Sequence, residues 1–154
     1  MSKRKNFLCF LLGNVFGLCC GRMLLLHNEN EWDKKNRYLH VYENWLMLKE
    51  NGLGLKEYFV NNSVKKVAIY GYGRIGKNLY LELMNLGIIV EYIVDRQKGL
   101  KLDNIRTYQP NEKLPLVDVI IVTPVMEYDN IVKSLKSIYD GKIVSLEDVI
   151  YECL

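Results

Sequence analysis

The residues best suited to chemistry are the run Gly71-Tyr72-Gly73-Arg74-Ile75-Gly76, with glycines at the spacing Gly-x-Gly-x-x-Gly. Each glycine has its own physical use. Gly71 permits a tight turn out of a strand. Gly73, without a side chain, lets a phosphate approach the main chain. Gly76 lets the following helix pack close to a sheet. The free N–H groups at the start of that helix, and its dipole, favour an anion there. Asp95 lies about 20 residues further on, where a carboxylate accepts hydrogen bonds from ribose hydroxyls. Arg96 beside it offers a charge that neutralises a phosphate instead, so the pair leaves the preferred nucleotide open. Thr123-Pro124 ends another apolar run, and Thr123 is either a ligand contact or a strand-end turn residue. The expected surround of a nucleotide-type ligand, NAD(P) or a nucleotide-sugar, is therefore Gly71, Tyr72, Gly73, Arg74, Ile75, Gly76, Asp95, Arg96, Thr123 and Pro124. The competing reading is that the glycines serve packing alone and the fold binds nothing.

The elements that must position these residues follow from the periodicity of the chain. Val67–Tyr70 is a short apolar run of the buried-strand type. A helix is expected over residues 75–86, closed by Gly87. Ile88–Val94 reads as a second strand, ended by Asp95. A weak third strand lies around Ile105-Arg106-Thr107, then a loop from Gln109 to Pro115. Val117–Val122 reads as a strong central strand. A helix from Glu127 to Tyr139 places Ile131, Leu135 and Ile138 on one face. Lys142–Ser145 is a fifth strand, and Ser145 caps a last helix with Asp148 three residues on. Strands alternating with helices imply an α/β, Rossmann-like five-stranded parallel sheet of order 3-2-1-4-5. Ligands of such sheets sit at the carboxyl ends of strands 1 and 4, where the order reverses. The glycine turn and Thr123-Pro124 are those two ends.

The chain of 154 residues divides into an N-terminal hydrophobic helix (1–27), a helical connector (28–64) and the Rossmann-like domain (65–154). Phe7–Leu26 is about long enough to cross a bilayer, though Asn14 and Arg22 interrupt it. A membrane anchor is the favoured reading, with a cleaved signal peptide and a buried helix as alternatives. Lys3, Arg4 and Lys5 compete with Lys34, Lys35 and Arg37 for the cytoplasmic side. A nucleotide site needs the cytoplasm, so the domain is expected at the cell membrane, facing inward. Gly13, Gly17 and Gly21 fall four apart, a stripe that lets two helices pair, as a homodimer or with a membrane partner. In the connector, Tyr38, Leu39, Tyr42, Trp45, Leu46 and Leu48 recur at helical spacing over residues 34–50. Gly52 and Gly54 stop that helix, and a short one follows over 55–61. The aromatic stripe is expected to pack against the domain that follows; contact with a sugar or base is the alternative.

Other chemistries find little footing. The net charge of +3 and the scattered basic runs argue against nucleic acid. Four cysteines show no Cys-x-x-Cys pair, and His27 and His40 lack partners at ligand spacing, so no metal site is expected. A Tyr-x-x-x-Lys pair, the acid–base unit of epimerase-type hydride transfer, is missing: Tyr128 and Lys133 are offset by one residue. Asp118 and Glu127 have no evident partner as acid or base. No catalytic residue is assigned.

The stretch from Lys35 to Arg96 resembles small membrane-anchored Rossmann-like proteins of bacterial capsule and exopolysaccharide gene clusters. The residues that carry the likeness are Trp45, Lys49, Tyr58, Phe59, Ile69, Tyr70, Gly71, Gly76 and Asp95, continued by VDVIIVTP and IVSLEDVIYE. The Rossmann part is also similar to the NAD(P)-binding domains of nucleotide-sugar epimerases. The resemblance implies a membrane-tethered, nucleotide- or nucleotide-sugar-binding accessory that works beside polysaccharide-synthesis enzymes. A small NAD-dependent oxidoreductase or epimerase subunit completed by a partner chain is the alternative, as is a non-binding interaction module.

Overall fold

The computed structural model describes residues 31–100, 102 and 105–154. The expected hydrophobic helix at 1–27, with its Gly13, Gly17 and Gly21 stripe, lies outside the described residues. Among the described residues, no helix is long and apolar enough to cross a membrane. The chain forms two compact units, 1–39 and 40–154. The described part of the first, 31–39, is helical. Everything below concerns the second.

Helix α1, as far as it lies in this unit, covers residues 40–50. It is followed by α2 (Lys56–Asn61), β1 (Lys66–Tyr70), α3 (Arg74–Asn85), β2 (Ile89–Val94) and β3 (Arg106–Tyr108). Then come β4 (Val119–Val122), a 3-10 turn (Val125–Glu127), α4 (Tyr128–Leu135), β5 (Ile143–Ser145) and α5 (Leu146–Tyr151). The strands form one sheet of order β3-β2-β1-β4-β5, and every pairing is parallel. The α/β class and the strand order match the reading from sequence. Parallel sheets need cover on both faces, so their central strands carry unbroken apolar runs. Val67, Ala68 and Ile69 of β1 and all four residues of β4 are fully buried. On α3, Leu79 and Leu83 are likewise closed off from solvent, each contributing about 2 kcal/mol by burial. The opposite face holds Tyr70, Tyr92, Tyr108 and Ile120 against Ile131 and Leu135 of α4.

Two expectations need correction. The helix placed at Glu127–Tyr139 is α4, only 8 residues long and preceded by the 3-10 turn. Beyond its end, Tyr139 turns into the core. Its hydroxyl accepts from the Val117 N–H at 3.3 Å and donates to the Val117 carbonyl at 3.2 Å. A side chain at Gly141 would overlap that phenol, so the turn back towards β5 needs glycine there. The apolar stripe of α1 is also rotated from the expected one. Its buried residues are Val41, Trp45 and Leu48, while Leu46 is 57% exposed.

Candidate functional site

The three glycines of the turn have three different environments. Gly71 has φ +91°, and a Cβ there would lie 2.8 Å from Pro124 Cδ and from Thr123 Oγ1. Its N–H donates to the Val94 carbonyl at 2.8 Å. A Cβ on Gly76 would overlap the Gly71 carbonyl oxygen. These two glycines are therefore required by the backbone and its neighbours. Gly73 is not. Its φ of −70° and ψ of −163° suit any residue, and a Cβ there would meet no atom within 4 Å.

Gly73 is also the N-cap of α3, where no side chain accepts a hydrogen bond from the helix and the first turn holds no acidic residue. The ladder begins with Lys77 N–H donating to the Gly73 carbonyl at 3.0 Å. The amides before it have no partner within the helix, as at any helix start. They meet the positive end of a helix of 12 residues.

The flanks brace the turn from both neighbouring strands. From β4, the Thr123 hydroxyl donates to the Gly71 carbonyl at 2.9 Å, with the Tyr70 carbonyl at 3.2 Å. Thr123 is buried, and its one proton is used on the main chain. Pro124 packs on Gly71. From β2, Asp95 Oδ2 accepts from Tyr72 N–H at 2.6 Å and Oδ1 from Gln97 N–H at 2.7 Å. A carboxylate has about four lone-pair directions, so this arrangement orients Asp95 and leaves it able to accept more. The Tyr72 ring meets Tyr80 edge-on at 6.1 Å, and Lys77 Nζ lies 5.9 Å from its centre. Tyr72 thus packs along α3, and burial pushes its phenol above the usual range, with Tyr80 adding to the shift. Arg74 is exposed, whereas the Ile75 side chain is in the core. The structure therefore gathers Gly71–Gly76, Asp95, Thr123 and Pro124 at one place. Arg96 reaches across to pair with Glu127, and that hydrogen bond holds the guanidinium pKa above its ordinary value.

The remaining acid–base candidates are engaged elsewhere. Asp118 sits at the opposite, amino edge of the sheet. Its Oδ2 accepts from the Lys65 and Lys66 N–H groups, both at 2.8 Å. Those two donors hold its carboxyl below the usual carboxylate range. The Tyr128 phenol donates to the Ile143 carbonyl at 3.1 Å, and burial raises its pKa, the reverse of what a general base needs. Among the described residues, no three His, Cys, Asp or Glu side chains come together as metal ligands.

Sequence reasoning overlooked Glu82. This buried carboxylate of α3 accepts from Trp45 Nε1 at 2.7 Å and from the Leu55 N–H at 3.3 Å, and pairs with Lys49 Nζ at 2.8 Å. It ties α1 and the α2 approach to α3 of the sheet domain. Beside it is a cleft of about 510 Å³, lined by Tyr42, Leu46, Lys49, Leu53, Asn78 and Leu81 among others. The available signal was Trp45 and Lys49 one helical turn apart, a spacing that puts both on one face. The acid they share lies too far along the chain for periodicity to reveal.

No family model, curated protein or solved structure matches the chain.

Proposed function

We propose that the chain binds a nucleotide-type ligand, NAD(P) or a nucleotide-sugar, at the carboxyl edge of β1 and β4. One observation carries the reading. Gly71 and Gly76 are glycine because the fold leaves no room for a side chain, whereas Gly73 faces open space with an unstrained backbone. Its missing side chain serves nothing inside the protein, but it clears the approach to the uncapped amides of α3. A phosphate at that position would accept from those amides, with the ribose hydroxyls towards the free lone pairs of Asp95. The donors present suit an anionic ligand, and the turn is firmly held by Thr123 and Asp95.

In this reading the protein is a membrane-tethered accessory of surface polysaccharide synthesis. Its anchor is residues 7–26, its domain faces the cytoplasm, and the Gly13, Gly17 and Gly21 stripe offers a pairing surface. The tether and the setting rest on the apolar N-terminal run and on the resemblance to capsule-cluster proteins. Binding stands ahead of catalysis because the Tyr128 phenol is committed to a main-chain carbonyl and Asp118 lies at the far edge of the sheet. Calorimetric titration of the detergent-solubilised full chain with NAD, NADP and UDP-glucose tests the proposal. Saturable binding of at least one, abolished by Gly73→Asp, is expected. Absence of binding by all three, or binding indifferent to Gly73→Asp, would overturn it.

A further inference from the structure

The ion pair between Arg96 and Glu127 spans the candidate site. The sheet order places β1 between β2 and β4, and Tyr70 at the end of β1 is in register with Val94 and with Val122. The three strands therefore end level. Arg96 follows two residues after the end of β2, and Glu127 lies in the 3-10 turn that follows β4. Neighbouring strands are about 4.8 Å apart, so β2 and β4 are separated by roughly 10 Å. A bond between groups anchored on these two strands must pass over the end of β1, beside the glycine turn. Tyr70 supports the placement. Burial pushes its phenol pKa up, and Arg96, Glu127 and Asp95 all act on it electrostatically. These charges thus cluster at the carboxyl end of β1.

Both partners of the pair reach solvent, with side chains 66% and 42% exposed. A pair of this kind is cheap to open and is screened by salt. Asp95 is different, being fixed by two main-chain donors. Of the two anionic groups near Arg96, only the Glu127 carboxylate is free to swing away.

Resting on the nucleotide-binding reading above, we propose that Glu127 is a built-in competitor at this site. Its carboxylate occupies the Arg96 guanidinium until a phosphate of the incoming ligand takes its place. The guanidinium fork has five N–H donors and accepts a phosphate in a two-pronged geometry. Two anions contending for one cation make affinity depend on ligand charge. Glu127 thereby sets a threshold that a nucleotide with an additional phosphate monoester crosses more readily than one without it.

NAD and NADP differ by one such monoester and serve as the probes. The full chain, Glu127→Gln, Arg96→Ala and the double variant are titrated with each at two ionic strengths. Glu127→Gln is expected to tighten NADP by about fivefold, the scale of an exposed ion pair, and NAD by less than twofold. Adding Arg96→Ala removes the gain, and raising the salt concentration shrinks it. Thermal melting of Glu127→Gln within about 2 °C of wild type shows that the fold is intact. An unchanged NADP-to-NAD ratio in Glu127→Gln, or an equal gain for both, would overturn the proposal while leaving the binding site standing. Failure of both probes and of UDP-glucose to bind any of the folded variants would instead overturn the binding reading itself, and the competitor role with it.

Discussion

The two edges of the sheet treat exposed main-chain amides in opposite ways. At the amino edge, the N–H groups of Lys65 and Lys66 converge on one carboxylate, Asp118. At the carboxyl edge, the start of α3 points its amides outward with no side-chain cap. The chain thus supplies its own anion to the amides where β1 begins; where β1 ends, Asp95 takes the Tyr72 N–H but no side chain caps the start of α3. Nothing in the backbone prevents a cap there: Gly73 has the extended conformation usual for an N-cap residue, and a side chain would have room. A glycine N-cap gives up roughly a few tenths of a kcal/mol against Asp, Asn or Ser. A site that must receive an anion from outside is one setting in which that loss is useful.

The comparison can be broken in several ways. The largest effect is expected from Gly76→Ala, whose added methyl would overlap the Gly71 carbonyl oxygen. A loss of about 3 kcal/mol and a fall of about 10 °C in the melting midpoint are expected; a midpoint near wild type would show that the close approach of α3 to the turn is not required. Next is Glu82→Ala, which removes the shared acceptor of Trp45 and Leu55 N–H and the partner of Lys49. A cost of about 3 kcal/mol in urea unfolding, followed by tryptophan fluorescence, is expected.

Gly73→Asp sharpens the contrast, because it gives the start of α3 the carboxylate cap that it lacks. An aspartate N-cap should stabilise α3 by about 0.5–1 kcal/mol and raise the melting midpoint by a few degrees. The same change should weaken NAD or NADP by at least about tenfold. Gain in stability with loss of binding is the signature to look for; a loss of both would mean that Gly73 is required by the fold.

The smallest effect is that of Asp118→Asn. The folded pKa of Asp118 is held low by its two amide donors. Its stabilisation is therefore complete above the unfolded value near ~3.9 and is lost as pH falls through the folded value. The variant should be less stable at neutral pH, and its deficit should narrow below about pH 4. Urea midpoints across a pH series measure this, and a deficit constant with pH would dissociate Asp118 from the Lys65 and Lys66 amides.

Much of the architecture was legible in the chain itself. Val67–Tyr70 and Val119–Val122 are apolar without alternation, the pattern of strands buried on both faces. The Gly-x-Gly-x-x-Gly turn between a strand and a helix, with Asp95 after the next strand, fixed where the topology reverses. Ser145 was readable as a cap, and its side chain accepts from Glu147 N–H at 3.2 Å. Each of these is a local matter, settled by residues within a turn or a strand of each other.

What the amino-acid order determined unaided was the alternation of elements and, through the handedness and brevity of connections, the order of the sheet. Tertiary structure alone decided which glycine is free. Gly71, Gly73 and Gly76 are the same residue in one motif; Thr123 and Pro124 arriving from β4 hem in Gly71, the Gly71 carbonyl thereby held in place hems in Gly76, and Gly73 alone meets nothing. The same holds for Glu82, which becomes a junction because α1 and Leu55 fold onto α3, and for Tyr139, whose phenol finds its partner in the main chain of Val117. The physical reason is common to all three. Excluded volume and hydrogen-bond partnership depend on atoms that are distant in sequence and meet only when the chain has packed.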